Sequence, residues 1–123
     1  MPLENLLNVR TEILKCSVGD VLIIHFAGKI TSDNVFDLNQ KMRHIFADNI
    51  YNVIIHLTNL EYMNSTGITM FLNISKTIEQ NKGKLILTQP SAFVKELFEM
   101  TNLISKFTIV NTLEEAQQLI CQG

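Results

Sequence analysis

Long hydrophobic runs and clusters of basic residues are both missing from this sequence. No apolar stretch approaches the roughly 20 residues that a membrane-spanning helix requires. The formal net charge is -2 and there is no basic run, so the electrostatic footprint of a nucleic-acid-binding protein is absent. The N-terminus has Glu4 ahead of a short leucine pair and lacks a signal-peptide pattern. These absences predict a cytoplasmic chain with no membrane span and no nucleic-acid partner.

Cysteine is also scarce. Cys16 and Cys121 are the only two, and they lack the close spacing of a metal knuckle or a redox pair. In a reducing compartment both are most simply interpreted as small core residues. The sequence therefore predicts no disulfide.

The residues that are present are typical of one globular domain. A chain of 123 residues is long enough to enclose a hydrophobic core. With 46% hydrophobic and 18% charged residues, its composition is an ordinary globular mixture. No repeat or low-complexity linker divides the chain, which predicts a single domain over residues 1–123.

Hydrophobic periodicity and turn residues divide the chain into strands and helices. The predicted strands are residues 7–16, 21–27, 52–57, 84–88 and 107–110; the predicted helices are one capped within residues 31–33 and ending near Ala47, one at Ser65–Gln80, a short one capped by Ser91, and a last one whose capping box starts at Thr112. The short turn at residues 17–20 predicts an antiparallel hairpin. Strands that alternate with helices predict parallel pairing with right-handed crossovers. The predicted fold class is α/β, with a small mixed, mostly parallel sheet and an antiparallel first strand.

The strongest functional signal is the turn Asn64-Ser65-Thr66-Gly67, which follows a β-branched strand and opens a helix. A hydroxyl at such a turn either caps the helix or carries a phosphate beside unpaired backbone N–H groups. Because Asn64 can cap equally well, both roles of Ser65 stay open. Thr66 is predicted to serve backbone hydrogen bonding, and Gly67 to permit close backbone approach.

Three loops are predicted to meet at one edge of the sheet, at residues 28–33, 58–67 and 89–91. The carboxyl ends of parallel strands are where working residues gather in open sheets, and loops on a rigid scaffold usually carry function. Met63 and Met70 are predicted to be mostly core residues, although they flank the turn and Met70 is predicted to lie off the main apolar stripe of its helix. An exposed methionine there would suit a partner surface.

His25 and His56 occupy like positions in Ile-Ile-His-Phe and Ile-Ile-His-Leu, on strands predicted to be neighbours. A zinc site would need at least a third ligand, and no cysteine or carboxylate has suggestive spacing. Hydrogen-bonded strand histidines are the favoured interpretation, and no metal is expected.

A hydrolytic serine is the enzymatic alternative for Ser65. The nucleophile elbow needs glycine two residues before and after the serine, and Met63 occupies the first of these places. No acid–histidine pair follows in order, since the last histidine is His56. The sequence therefore predicts no enzyme.

The segment from residue 53 to residue 67 resembles the central motif of the STAS domain, the family of bacterial anti-sigma factor antagonists. The family has a strand, an acidic turn and Asp-Ser-Ser-Gly, which corresponds here to Asn64-Ser-Thr-Gly67. Residues 28–31, 82–87 and 91–116 resemble further parts of the family in the same order. The resemblance implies a right-handed β/α superhelix around a small, mostly parallel sheet with an added antiparallel first strand.

In phosphoswitch members of this family, the serine after the aspartate is phosphorylated by a kinase that is also the anti-sigma factor. Only the unphosphorylated form binds that partner and so releases the sigma factor. The resemblance implies that Ser65 is the phosphoacceptor, without a cofactor, and that an anti-sigma factor/serine kinase of the ATPase-kinase type and a phosphatase are partners. Neutral residues stand where the family has carboxylates, at Thr31, His56 and Asn64.

The expected partner surface combines the motif with the first loop: Thr31, Ser32, Asp33, Met63, Asn64, Thr66, Gly67 and Met70. The main alternative is a phosphorylation-independent STAS scaffold, such as a subunit of a transport or stress-signalling complex. Its cue is Asn64 in place of aspartate. The edge strand at residues 107–110 leaves a homodimer possible.

Overall fold

The computed structural model describes residues 7–122, whose strands form one five-stranded sheet in the order β1-β2-β3-β4-β5. The first pair is antiparallel and the other three are parallel. The elements are β1 (Leu7–Cys16), β2 (Gly19–Ile30), α1 (Val35–Phe46), β3 (Asn52–Met63), α2 (Ser65–Gln80), β4 (Lys84–Thr88), α3 (Ala92–Met100), a short 3-10 turn (Ile104–Lys106), β5 (Thr108–Val110) and α4 (Leu113–Cys121). The predicted α/β fold with a mixed, mostly parallel sheet is confirmed.

Side chains that alternate along the strands build two separate hydrophobic layers. On β2, Leu22 and Ile24 join the larger layer with α1, α2 and α3. Val21 and Ile23 point the other way, into a smaller layer under α4. No helix within residues 7–122 has the length and apolar character needed to cross a bilayer.

Strands β2 and β3 are longer than the sequence predicts, and this extension positions the candidate site. The predicted end of β2 at residue 27, before Gly28, is wrong, because two register irregularities allow the pair to continue to Ile30↔Met63. Gly28 adopts a φ of 108° in this segment, a backbone conformation that favours glycine. The longer strands carry the following loops to the same edge of the sheet.

The start of α1 also differs from the prediction. The helix begins at Val35, with Asn34 rather than a residue of 31–33 at the N-cap position and without a side-chain capping bond. The caps of α3 and α4 are as predicted: the hydroxyls of Ser91 and Thr112 accept hydrogen bonds from Val94 N and Glu115 N.

Cys16 and Cys121 form a disulfide with a Cα–Cα distance of 5.8 Å, so the prediction of two unpaired core cysteines is wrong. Their separation of 105 residues in sequence concealed a contact that only the fold creates. Because α4 runs back across the sheet, its last residue lies beside the β1–β2 turn. The Ser17 hydroxyl donates to the Cys121 carbonyl at 3.0 Å, which ties the same two elements together.

The end of α2 is closed by a tight chain reversal. Gly83 N donates to Ile78 O at 2.9 Å and Lys82 N to Glu79 O at 3.0 Å, the bonding pattern of a Schellman motif. Lys82 takes the left-handed conformation at φ 60°. Gly83 lies close to Tyr51, the residue directly before β3. A Cβ added to Gly83 would fall 1.8 Å from Tyr51 O.

Candidate functional site

Ser65 is the first residue of α2 and is exposed at the carboxyl edge of the sheet. Thr66 is exposed beside it. The main-chain N–H groups of both residues belong to the first turn, which has no intrahelical acceptors. The site is thus an exposed hydroxyl at the positive end of a helix dipole.

Asn64, not Ser65, caps α2. The Asn64 side chain accepts from Gly67 N at 3.1 Å, and the backbone of Asn64 is extended, as an N-cap requires. The Ser65 hydroxyl is therefore not used as the helix cap, and its role as a phosphoacceptor stays a prediction.

Asn64 also joins the two loops of the site. Its Nδ2 donates to Ser32 Oγ at 3.2 Å, and its main-chain N donates to Ile30 O at 3.2 Å. Ser32 and Asp33 are exposed and Thr31 is half-buried. The predicted meeting of the first loop with the Asn64 turn is therefore confirmed.

Sequence reasoning missed Asn34, which holds the first loop in shape. Its Oδ1 accepts from Thr31 N at 3.0 Å, and its Nδ2 donates to Lys29 O at 2.9 Å. Asn34 is buried, so it fixes residues 31–33 without presenting itself to a partner. Buried polar side chains with satisfied hydrogen bonds rigidify their surroundings.

Three residues of the expected partner surface are buried instead. Met63 and Met70 lie in the larger hydrophobic layer and Gly67 is buried. The prediction that the two methionines are mostly core residues is confirmed, and their placement on the partner surface is wrong. Met70 lies on the buried stripe of α2, because α1 packs beside α2 and widens that stripe. A Cβ on Gly67 would lie 2.9 Å from Met63 Cβ, which accounts for the glycine by close packing, as predicted. We call the accessible remainder, residues 31–33 and 64–66, the switch surface.

An exposed aromatic pair lies near the switch surface and was also missed. Tyr62, two residues before Asn64, is 38% exposed and Phe93 on α3 is 44% exposed. Their ring centroids are 5.3 Å apart. Tyrosine and phenylalanine are enriched at protein interfaces relative to the rest of the surface.

His25 and His56 are register partners on β2 and β3 with ring centroids 5.3 Å apart. His56 Nδ1 lies 2.6 Å from Thr88 Oγ1. His25 Nε2 lies 3.4 Å from Glu12 Oε2 without forming a hydrogen bond. Within residues 7–122, no three histidine, cysteine or carboxylate side chains are grouped to hold a metal. Burial lowers the pKa of His56, and the neighbouring His25 and Arg10 lower it further.

We expect the free energy of unfolding to fall as the pH drops below 6.5, the ordinary pKa of histidine. The unfolded chain protonates His56 near that pH, whereas the folded protein resists protonation down to its lowered pKa. In this window the unfolded state binds more protons, so acid favours unfolding; above it, the contribution of neutral His56 is fully present. Urea titrations at a series of pH values measure the slope. His56→Asn, which keeps a polar partner for Thr88, should flatten it; equal slopes in both proteins would contradict the assignment.

A model of the STAS domain matches residues 13–116, and the chain belongs to the STAS domain family. It is 27% identical over 99 residues to BtrV of Bordetella bronchiseptica, provisionally named an anti-sigma factor antagonist, covering 80% of this chain and 85% of that protein. It is 28% identical over 80 residues to the anti-sigma-B factor antagonist of Staphylococcus aureus, covering 65% of this chain and 74% of that one.

Solved structures show the same fold. An anti-sigma factor antagonist from Mycobacterium paratuberculosis superposes with a TM-score of 0.75 at 18% identity, covering 92% of this chain and 94% of that one. The anti-sigma factor antagonist SpoIIAA in its unphosphorylated form gives 0.70 at 20% identity, covering 94% and 99%. Phosphorylated SpoIIAA from Bacillus gives 0.69 at 22% identity, covering 92% and 99%.

Proposed function

We propose that this protein is a cytoplasmic anti-sigma factor antagonist that is switched by phosphorylation of Ser65. It acts by binding an anti-sigma factor that is also a serine kinase of the ATPase-kinase type, and a phosphatase restores the binding form. It catalyses no reaction itself. The observation that carries the proposal is the exposed Ser65 hydroxyl, released from capping by Asn64.

A phosphate at Ser65 is compatible with the fold. It adds about 1.5 to 2 negative charges at pH 7, and anions are favoured at a helix N-terminus. The first turn of α2 carries no acidic residue, so no carboxylate of that turn repels the phosphate. The helix should survive the modification, and the switch acts by charge and steric exclusion at the partner's surface.

Two kinds of relative support the proposal. The sequence relatives bear the name anti-sigma factor antagonist, and SpoIIAA exists in both a phosphorylated and an unphosphorylated form on this fold. The partner is expected to contact the switch surface, residues 31–33 and 64–66. The Tyr62–Phe93 pair extends that surface with apolar area.

The test incubates the chain with ATP and an anti-sigma factor kinase, which is sought first among the products of the neighbouring genes. Intact mass should show a single phosphate adduct that Ser65→Ala removes and Thr66→Ala retains. Ser65→Asp should weaken kinase binding at least about tenfold through charge at the interface, while the melting temperature changes little. A large loss of stability with unchanged binding would mean that Ser65 has only a structural role.

A phosphorylation-independent scaffold is the second candidate, and Asn64 is the observation that favours it. The family carboxylate before the serine is replaced by an amide that is committed to Gly67 N and Ser32 Oγ. In the same assay Asn64→Asp restores the carboxylate. If only this variant gains the phosphate, the natural chain is a scaffold; if the natural chain is modified as fast as the variant, the scaffold is excluded.

A further inference from the structure

Strand β1 offers a long, open edge. It has 10 residues, and within residues 7–122 no strand pairs with its outer side. Cys16 and Gly19 are the last pair before a two-residue turn, so they exchange main-chain hydrogen bonds and the even-numbered residues of β1 face β2. The N–H and C=O groups of the odd-numbered residues, from Leu7 to Lys15, therefore point outward.

Unpaired edges of this length are normally protected by charge, but the charges here alternate in sign. Arg10 and Glu12 lie on the same face of β1 and contact each other, Nη1 to Oε2, at 3.1 Å. Ile13 lies on the opposite face and is 53% exposed. The edge thus combines two positive charges, at Arg10 and Lys15, one negative charge at Glu12, and an uncovered apolar side chain. Lys15 contacts Asp20 of its own hairpin at 3.1 Å.

We propose that two copies of this chain pair through β1, antiparallel, about a twofold axis at Thr11. In this register Arg10 of each copy lies opposite Glu12 of the other, as a non-hydrogen-bonded pair with close side chains. Val9 of each copy lies opposite Ile13 of the other and covers it. The outward main-chain groups of Thr11 bond to those of its copy, and the two sheets become one of ten strands.

The charge pattern selects this register against its neighbours. Two copies can pair about a twofold axis only in registers in which the outward groups of the odd-numbered residues face each other. These registers place the axis at successive residues of β1, such as Arg10, Thr11 or Glu12. An axis at Arg10 places the two Arg10 side chains opposite each other, and an axis at Glu12 does the same for the two Glu12 carboxylates. Like charges directly opposite are destabilising. Only the axis at Thr11 places both Arg10 and Glu12 opposite a side chain of opposite charge.

The other edge of the sheet is a poorer candidate for self-association. β5 has only three residues, Thr108–Val110, so it offers few main-chain groups. β1 pairs with β2, whereas Ser65 follows β3, so the Ser65 hydroxyl of each copy lies outside the pairing. The dimer goes beyond the proposed function and would present two switch surfaces to one or two partners.

Sedimentation velocity over a range of concentrations tests the pairing by charge exchange. The natural chain should dimerise. Arg10→Glu and Glu12→Arg should each raise the dimer dissociation constant at least about tenfold, because two attractive cross-strand pairs become repulsive. Mixing the two variants should restore dimers, since each supplies the charge that the other lacks, and the double variant should dimerise alone.

Thr11→Pro provides a second, backbone test. Its N–H points outward, so proline there removes an edge donor without removing a bond to β2. It should abolish the dimer while circular dichroism reports an unchanged fold. A natural chain that stays monomeric overturns the proposal, as does a dimer that none of these variants weakens. Phosphorylation of Ser65 is measured in a different assay, by intact mass. The result for the dimer therefore neither supports nor contradicts the proposed function.

Discussion

Reduction of the Cys16–Cys121 disulfide is expected to lower the melting temperature by about 10 °C. The bond closes a loop between residues 105 apart, and cross-links that close long loops restrict the unfolded chain most. Removing such a bond costs about 2 to 4 kcal/mol. Reduction should destabilise α4 most, because this bond and the Ser17 hydroxyl hold α4 to the β1–β2 turn. α4 covers the smaller hydrophobic layer.

Thermal unfolding of oxidised protein with and without reductant measures the shift, and thiol alkylation with intact mass counts the free thiols. Cys16→Ser and Cys121→Ser should both melt like the reduced natural chain and should not respond to reductant. A melting temperature unaffected by reduction would show that the cross-link does not restrict unfolding. In a glutathione-reduced cytoplasm the dithiol form should prevail, so the stabilisation would appear only after exposure to an oxidant.

Gly83→Ala is expected to destabilise the fold by at least about 3 kcal/mol. The new Cβ would lie 1.8 Å from Tyr51 O and 2.6 Å from Tyr51 C. Both are backbone atoms, so no side-chain rotation can make room. The clash would push apart the starts of β3 and β4, where Lys84 N donates to Tyr51 O at 3.1 Å. Urea unfolding monitored by circular dichroism gives the free energy.

Lys82→Gly is the matched control in the same turn. Lys82 is in the left-handed conformation, which costs least for glycine, and the side chain is exposed. This variant should be neutral or slightly stabilising. A Gly83→Ala protein as stable as the natural chain would mean that the turn relaxes at no cost, and the close approach to Tyr51 would then be unimportant.

This turn also illustrates what the sequence can predict. The triplet at residues 81–83 correctly predicts the end of α2, and β1, α2 and β4 have the predicted bounds. A sequence rule would assign the left-handed position to the glycine. The structure assigns it to Lys82 instead, because Gly83 is required where the chain passes Tyr51. Contacts with distant segments decide such details, and periodicity carries no information about them.

The extension of β2 and β3 has the same origin. Residues 58–63 mix polar and apolar side chains and read as a loop, yet they pair with β2 through two irregularities. Pairing between strands supplies the hydrogen bonds that hold this segment extended, and propensity alone does not reveal them. The pairing of the cysteines depends likewise on the path of α4 across the sheet.

The candidate site divides along similar lines. The position of Ser65 and the alternative cap by Asn64 could be predicted, because both follow from local turn chemistry. The burial of Met70 could not, because it depends on α1 lying beside α2. The role of Asn34 could not be predicted either. It depends on two hydrogen bonds to residues 29 and 31, which form only when the loop has closed.

The two hydrogen bonds that Asn34 forms to the main chain of residues 29 and 31 have a kinetic consequence for any partner of the switch surface. Residues 31–33 are already held in one shape, so docking need not immobilise a floppy loop and loses little conformational entropy. Encounter should then be governed by diffusion and orientation rather than by a folding step. A phosphate at Ser65 would then act mainly by raising the dissociation rate, which shortens the residence time of the complex.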